Sequence, residues 1–159
     1  MKKITLLISL FLTFGISSFA DDNNFDNGYG EVTFDNGDRY EGYFKDEQMS
    51  GKGTYYYRNG AKYEGEFVNG KREGKGIYNF PNGDRYEGEF SNGSQNGYGV
   101  YYFKNGDKYE GNFVNGKRSG RGTYTFANEQ KIEGYFINGQ LQEEEKDKDE
   151  KSFISIEKR

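Results

Sequence analysis

The sequence contains no cysteine, no histidine and no tryptophan among its 159 residues. These absences exclude a disulfide framework, thiol or imidazole nucleophiles and His/Cys metal sites, and leave only carboxylates as candidate metal ligands. Leucine is also scarce, because only Leu141 follows Leu12. An ordinary domain buries leucine, isoleucine and valine. This core must instead rest on tyrosine and phenylalanine, which favour strands and of which the whole chain has 15 and 14.

Residues 1–20 have the three parts of a secretory signal peptide. Lys2 and Lys3 form the charged start, residues 4–16 are apolar, and residues 18–20 form a small-residue cleavage site. A membrane anchor is less favoured because the apolar run is short for a bilayer span. We therefore expect an exported protein, periplasmic or secreted. Loss of the two lysines takes the formal net charge from −4 to −6, and an acidic chain argues against nucleic acid as a partner.

The rest of the chain is organised by a 23-residue repeat. Tyr-Glu-Gly begins at Tyr40, Tyr63, Tyr86 and Tyr109, and returns as Ile-Glu-Gly at Ile132. We therefore divide the chain into a signal peptide (1–20), a polar lead-in (21–27), a repeat array (28–139) and a charged C-terminal tail (140–159). Acidic runs of the kind that the tail carries are typical of solvated segments.

Each repeat predicts a β-hairpin, because both flanks of its Asn-Gly sequence alternate with period two. A two-residue turn would place Tyr78 and Tyr86 on opposite faces. A three-residue turn over residues 81–83 instead pairs Phe80 with Asp84, and Tyr78 with Tyr86. Proline suits the first corner of such a turn and glycine suits its left-handed position, so the three-residue turn is favoured.

This register predicts an all-β fold, a single elongated, twisted antiparallel β-meander of about ten strands. One face carries rings separated by glycines, and its recurring residues are Tyr40, Gly42, Phe44, Tyr63, Gly65, Phe67, Tyr86, Gly88, Phe90, Tyr109, Gly111 and Phe113. The other face carries alternating charges, which we expect to pair across strands. Consecutive hairpins join through short connections such as residues 68–73.

These repeats resemble the MORN repeat (membrane occupation and recognition nexus). The resemblance rests on Tyr63-Glu64-Gly65-Glu66-Phe67, Asn69-Gly70-Lys71-Arg72 and Gly74-Lys75-Gly76, and it covers residues 28–139 in successive copies. It implies a non-enzymatic scaffold that associates with protein, with itself or with membranes, and the short Lys-Lys start of the signal peptide suggests the secreted bacterial type. The first copy is a half repeat, and the last has drifted as terminal repeats do.

Two groups of residues are candidates for binding. Lys71, Arg72, Lys117 and Arg118 lie along one edge and could hold an anionic surface, although solvated loop tips are the simpler interpretation. Tyr56 and Tyr102 fall on the charged face, together with Tyr43 and Tyr135, and exposed tyrosines among carboxylates suit a glycan site.

No residue is a convincing catalytic or metal-binding candidate. The recurring glutamates could suggest a glycosidase pair, but a residue present in every copy has the same role in every copy, whereas catalysis needs one site. The Asp-Asn-Gly-Asp turns lack the remainder of a calcium-binding loop. We therefore expect no enzyme activity, no cofactor and no metal. A protein-binding or self-associating scaffold is the first hypothesis, and an envelope glycan- or anionic lipid-binding module is the alternative.

Overall fold

The computed structural model of the protein describes residues 27–142, and all regular elements in this range are β-strands. They form one open antiparallel sheet in which every strand lies beside its neighbours in sequence. The strands are β1 (Asn27–Thr33), β2 (Arg39–Lys45), β3 (Gln48–Tyr56), β4 (Lys62–Val68), β5 (Lys71–Asn79), β6 (Arg85–Ser91), β7 (Ser94–Tyr102), β8 (Lys108–Val114), β9 (Lys117–Thr125), β10 (Lys131–Ile137) and β11 (Gln140–Gln142). The predicted all-β meander is confirmed. The signal-peptide prediction and residues 143–159 of the tail lie outside the described residues.

The hairpins of the array use the three-residue turn that the sequence favours. The Phe80 amide donates to the Asp84 carbonyl at 2.9 Å, and the Gly83 amide donates to the Phe80 carbonyl at 3.1 Å. Gly83 has a φ of +94°, the left-handed conformation that glycine adopts most readily. Tyr78 consequently pairs with Tyr86 in the predicted register.

The connections between hairpins are tighter than the six-residue segment suggests. Ser91 pairs with Ser94, so that only Asn92 and Gly93 form the turn. Their φ values of +50° and +85° match a type I′ turn, which follows the twist of the flanking strands.

An irregularity of register follows the tight turn in four hairpins, namely β2–β3, β4–β5, β6–β7 and β8–β9. Gly88 pairs with Gly99, whereas Phe90 pairs with Gln95, so residues 96–98 lie opposite a single residue of β6. The two extra residues form a bulge, and Gly97 within it has a φ of +102°. Because the excess is an even number, side chains beyond the bulge keep the same face of the sheet. The sequence pattern did not predict this bulge.

The core of this single-layer sheet consists of tyrosine rings lying on glycines. Tyr86 has no exposed surface, and its ring covers Gly88 of its own strand and Gly99 of the next. An added Cβ at Gly99 would lie 2.5 Å from the Tyr86 hydroxyl oxygen. That hydroxyl donates to the Glu89 carbonyl at 3.0 Å. Three other fully buried tyrosines sit in the same way, namely Tyr40, Tyr63 and Tyr109.

Phenylalanines join these tyrosines into a continuous ring ladder. The Phe90 ring lies edge-on to Tyr63 and Tyr86, with centroid distances of 4.9 and 5.2 Å. Such contacts add about 0.5–1.5 kcal/mol each beyond the burial of apolar area. Phe67 and Phe113 contact tyrosines of two repeats in the same way, so the ladder couples the repeats from Tyr40 to Tyr109.

The C-terminal end of the sheet departs from the pattern. Ile132 replaces the buried tyrosine, and the Leu141 side chain lies over Gly134 in its place, with Cδ1 2.4 Å from where a Cβ would stand. In the next repeat, the positions equivalent to Gly120 and Gly122 are occupied by glutamates 143 and 145. The first three residues of the predicted tail thus form β11, and the sheet has eleven strands rather than about ten.

Candidate functional site

Aspartates bind consecutive three-residue turns together along one rim of the sheet. Asp84 Oδ1 accepts a hydrogen bond from the Lys104 amide of the next repeat, and Oδ2 accepts from the Tyr101 hydroxyl, both at 2.8 Å. Asn82 Nδ2 also donates to Oδ2. We call this arrangement an aspartate clamp, and it recurs at Asp38 and Asp107.

The clamps hold their aspartates ionised. Burial raises the pKa of Asp84, but the hydrogen bonds from Lys104 and Tyr101 outweigh it and leave this pKa below its ordinary value. The Arg58 amide lowers the pKa of Asp38, and the Tyr124 hydroxyl lowers that of Asp107. Since protein donors occupy these oxygens, the turns use their aspartates for structure.

The aspartate clamp is absent between the repeats of Ala61 and Pro81, where both the acceptor and the donor are replaced. The position equivalent to Asp84 in the preceding repeat is Ala61, which is 2% exposed. The donor position that would face it, equivalent to Lys104, is occupied by Pro81. Proline has no N–H to donate. The acceptor and its donor have therefore both been replaced in the same inter-repeat contact.

We expect this contact to be restored only by two substitutions made together. Ala61→Asp alone buries a carboxylate without its amide donor and should destabilise the protein by about 1–3 kcal/mol. Pro81→Lys alone should change stability by less than about 1 kcal/mol. In the double variant the clamp can form, with a favourable coupling energy of about 1.5 kcal/mol in a urea-unfolding double-mutant cycle. Additive effects would show that the two positions are independent.

The predicted edge cations do not form one surface. Arg72 and Arg118 lie on the aromatic face, because each pairs with a buried phenylalanine across the tight turn. The Arg72 guanidinium carbon lies 5.1 Å from the Tyr78 centroid and 5.5 Å from that of Phe90, and its Nη2 donates to the Gly93 carbonyl.

Arg118 repeats this arrangement two repeats later. Its Nη2 donates to the Gly139 carbonyl at 2.6 Å, and its guanidinium lies over the Phe136 ring at 5.3 Å. Both arginines thus support the following turn. Lys71 and Lys117 pair with Val68 and Val114 on the opposite face and are exposed.

The two candidate tyrosines of the charged face each lie beneath an arginine. Arg39 Cζ is 4.0 Å from the Tyr56 centroid, and Arg85 Cζ is 5.7 Å from that of Tyr102. These contacts cover part of the ring surface that a sugar would need. More open tyrosines on this face are Tyr29, Tyr43, Tyr98 and Tyr135, all more than half exposed.

The charged face carries two parallel stripes of opposite sign, which run across the strands. The sheet register aligns the glutamate stripe, formed by Glu41, Glu64, Glu87, Glu110 and Glu133. The cation stripe lies two residues earlier on the same strands and is formed by Arg39, Lys62, Arg85, Lys108 and Lys131.

The ion pairs mostly run along strands, which corrects the predicted cross-strand pairing. Lys62 Nζ lies 2.5 Å from Glu64 Oε2, and Lys108 Nζ lies 2.7 Å from Glu110 Oε2. Glu64, Glu87 and Glu110 face uncharged residues on both neighbouring strands, as with Ile77 and Val100 on either side of Glu87. The cross-strand exception is Arg39, which also pairs with Glu31 of β1. Exposed pairs of this kind contribute about 0–1 kcal/mol each, so the stripes contribute little to stability.

Residues 27–142 contain no cluster of three or more acidic side chains arranged to hold a metal ion. The same part of the chain contains no helix that could span a membrane. The clamp aspartates are held by donors of the turns, and the stripe glutamates of β2, β4, β6 and β8 each pair with a cation of the same strand.

Comparison with known sequences supports what the geometry indicates. A sequence model of the MORN repeat matches residues 23–39, 40–62, 63–85, 86–108 and 109–131. The chain belongs to the MORN-repeat family. The full MORN units begin at the buried tyrosines Tyr40, Tyr63, Tyr86 and Tyr109, so one unit contains the tyrosine together with both glycines beneath it.

No curated protein matches this MORN chain. A similar solved structure is the SAS-4 (dCPAP) TCP domain of Drosophila melanogaster, in complex with a proline-rich motif of Ana2 (dSTIL). It is 18% identical with a TM-score of 0.39, over 72% of this chain and 69% of that chain. MORN repeats are generally non-catalytic, and the family points to a repeat-based binding or scaffold role.

Proposed function

We propose that this protein is a non-catalytic MORN scaffold that associates with protein, either itself or another chain, in the cell envelope or outside the cell. The observation that supports this proposal is the open sheet. Within residues 27–142, no strand covers the outer side of β1, a seven-residue strand. Unpaired strand edges are templates for pairing with another chain.

The first test is the solution mass of residues 21–159 over a wide concentration range, by light scattering coupled to small-angle X-ray scattering. Edge pairing through β1 predicts a concentration-dependent dimer with about twice the long dimension. A monomer at every concentration would contradict self-association.

A pair of proline variants localises the association. Adjacent N–H groups of a strand point to opposite sides, so Tyr29→Pro and Gly30→Pro remove one amide facing β2 and one facing outward. The variant that retains the wild-type circular dichroism should lose the edge-paired dimer. Retention of that dimer would contradict pairing through β1.

An envelope glycan site is the second candidate, and the four open tyrosines of the charged face favour it. Their rings offer flat apolar surfaces beside carboxylates such as Glu41, to which the Tyr29 hydroxyl donates at 3.0 Å. Salt-insensitive pelleting with cell wall would support glycan binding. Salt-sensitive pelleting with anionic vesicles would instead implicate Lys71 and Lys117, because screening weakens interactions between exposed charges.

A further inference from the structure

The two stripes of the charged face have a geometry that a second copy of the chain can match. Along each even-numbered strand from β2 to β10 the cation precedes the glutamate by two residues, which separates the stripes by about 6.6 Å. Equivalent charges recur on alternate strands, roughly 9.5 Å apart. A long row of one sign therefore lies beside an equally long row of the other sign.

We propose that the charged face is a homodimer interface, in which the glutamate stripe of one copy lies against the cation stripe of the other. The two copies are related by a two-fold axis that runs parallel to the stripes and between them. Such an interface is isologous, because the same surface is used by both subunits. The proposed interface involves the sheet face, and it goes beyond the edge association proposed above.

The charge pattern selects this symmetry over the alternative. A two-fold axis parallel to the stripes exchanges their positions, so that Glu87 faces Arg85 of the partner subunit and Glu64 faces Lys62 of the partner subunit. A two-fold axis perpendicular to the stripes in the plane of the interface would place glutamates on glutamates. Repulsion between like charges excludes that arrangement.

Uncharged residues between the charges are compatible with the same pairing. Val100 stands in the glutamate stripe and Tyr102 in the cation stripe of β7, so each Val100 meets Tyr102 of the partner subunit. Ile77 in the same way meets Asn79 of the partner subunit on β5. The Val100–Tyr102 contacts supply apolar area near the centre of the face, between the charged pairs.

Internal ion pairs do not satisfy the stripes completely. Lys62 and Glu64 retain 36% and 46% of their side-chain exposure, and Lys108 and Glu110 retain 37% and 38%. A carboxylate has two oxygens and a lysine has three donors, so each group can keep its neighbour on the strand and accept a second partner from the facing copy.

The decisive experiment exchanges the charges of one stripe at a time in residues 21–159. A cationic-face variant carries Glu64→Lys, Glu87→Lys and Glu110→Lys. An anionic-face variant carries Lys62→Glu, Arg85→Glu and Lys108→Glu. Sedimentation equilibrium at low and high salt then measures the dimer of the wild type, of each variant and of their equimolar mixture.

We expect a wild-type face dimer that weakens at least tenfold as salt rises, two variants that lose this salt-sensitive association and keep at most the edge pairing through β1, and a salt-sensitive heterodimer when they are mixed. A variant with all six substitutions, in which both stripes are exchanged, should dimerise again. This variant and the circular dichroism spectra of all variants are the controls for loss of fold. Two variants that dimerise as the wild type does would overturn this proposal while leaving edge pairing intact. A monomeric wild type, or a mixture without salt-sensitive association, would also overturn it.

Discussion

Gly99→Ala is expected to destabilise the protein by about 3 kcal/mol, although it adds a single methyl group to a strand. The three atoms nearest to the new Cβ all belong to the Tyr86 side chain, namely its hydroxyl oxygen and two ring carbons, at 2.5 to 2.6 Å. The ring cannot move away without losing its burial and its hydrogen bond to the Glu89 carbonyl. Overpacking of this kind costs about 1–3 kcal/mol, and chemical denaturation would measure it.

A double-mutant cycle identifies the cause of this loss. Tyr86→Leu is itself expected to be costly, by about 2–4 kcal/mol. In that background Gly99→Ala should cost less than about 1 kcal/mol, because the ring that it meets is gone. Gly93→Asn is the matched control, since nothing lies within 4 Å of a Cβ there and asparagine tolerates the φ of +85°. An equal cost of Gly99→Ala in both backgrounds would refute the ring contact.

The second large effect is expected at alkaline pH. Burial raises the pKa of Tyr40 to about 12, and burial together with the hydrogen bond to Asp107 raises that of Tyr124 to about 12. Burial also raises the pKa values of Tyr63 and Tyr86. The fold thus favours the neutral phenol over the phenolate. The resulting contribution to the free energy of unfolding is complete below the pKa of tyrosine in the unfolded chain, about 10, and is lost as the pH rises towards 12.

Tyrosinate absorbance and circular dichroism recorded on the same samples test this expectation. Ionisation of the buried tyrosines should coincide with loss of the sheet. Tyr86→Phe should raise the alkaline midpoint, because one phenol fewer must ionise, while lowering stability at neutral pH by about 1 kcal/mol. Complete ionisation with the sheet intact would show that these hydroxyls are not held by the core.

The sequence determines the hairpins because each turn is local. Residues 81–83 specify the turn type, the turn type specifies the register, and the register places tyrosine opposite tyrosine. The bulge could not be predicted in this way. It places two extra residues of β7 around Gly97, whose φ is +102°, and alternation of residue types does not encode such a local insertion.

The candidate binding residues show the same limit. Lys71 and Arg72 look alike in the sequence, yet they lie on opposite faces because neighbouring residues of a strand alternate. The exclusion of Arg72 from the solvated edge depends on the rings of Tyr78 and Phe90, which belong to different strands. One sequence signal could have revealed the aspartate clamps, namely that proline stands at position 81 in the repeat that follows Ala61.

The hydrogen bonds of the turns also bear on how the protein ages. Asparagine followed by glycine deamidates when the glycine amide nitrogen attacks the asparagine side chain and ammonia leaves. In this sheet the glycine amides of the Asn-Gly turns donate to backbone carbonyls, as at Gly37, Gly60, Gly70, Gly83, Gly93, Gly106, Gly116 and Gly139. Attack at these turns requires the hydrogen bond to break first. The Asn-Gly sequences, which deamidate readily in an unfolded chain, are therefore protected by the hydrogen bonds of the folded sheet. Deamidation at these turns can proceed only as fast as the turns open.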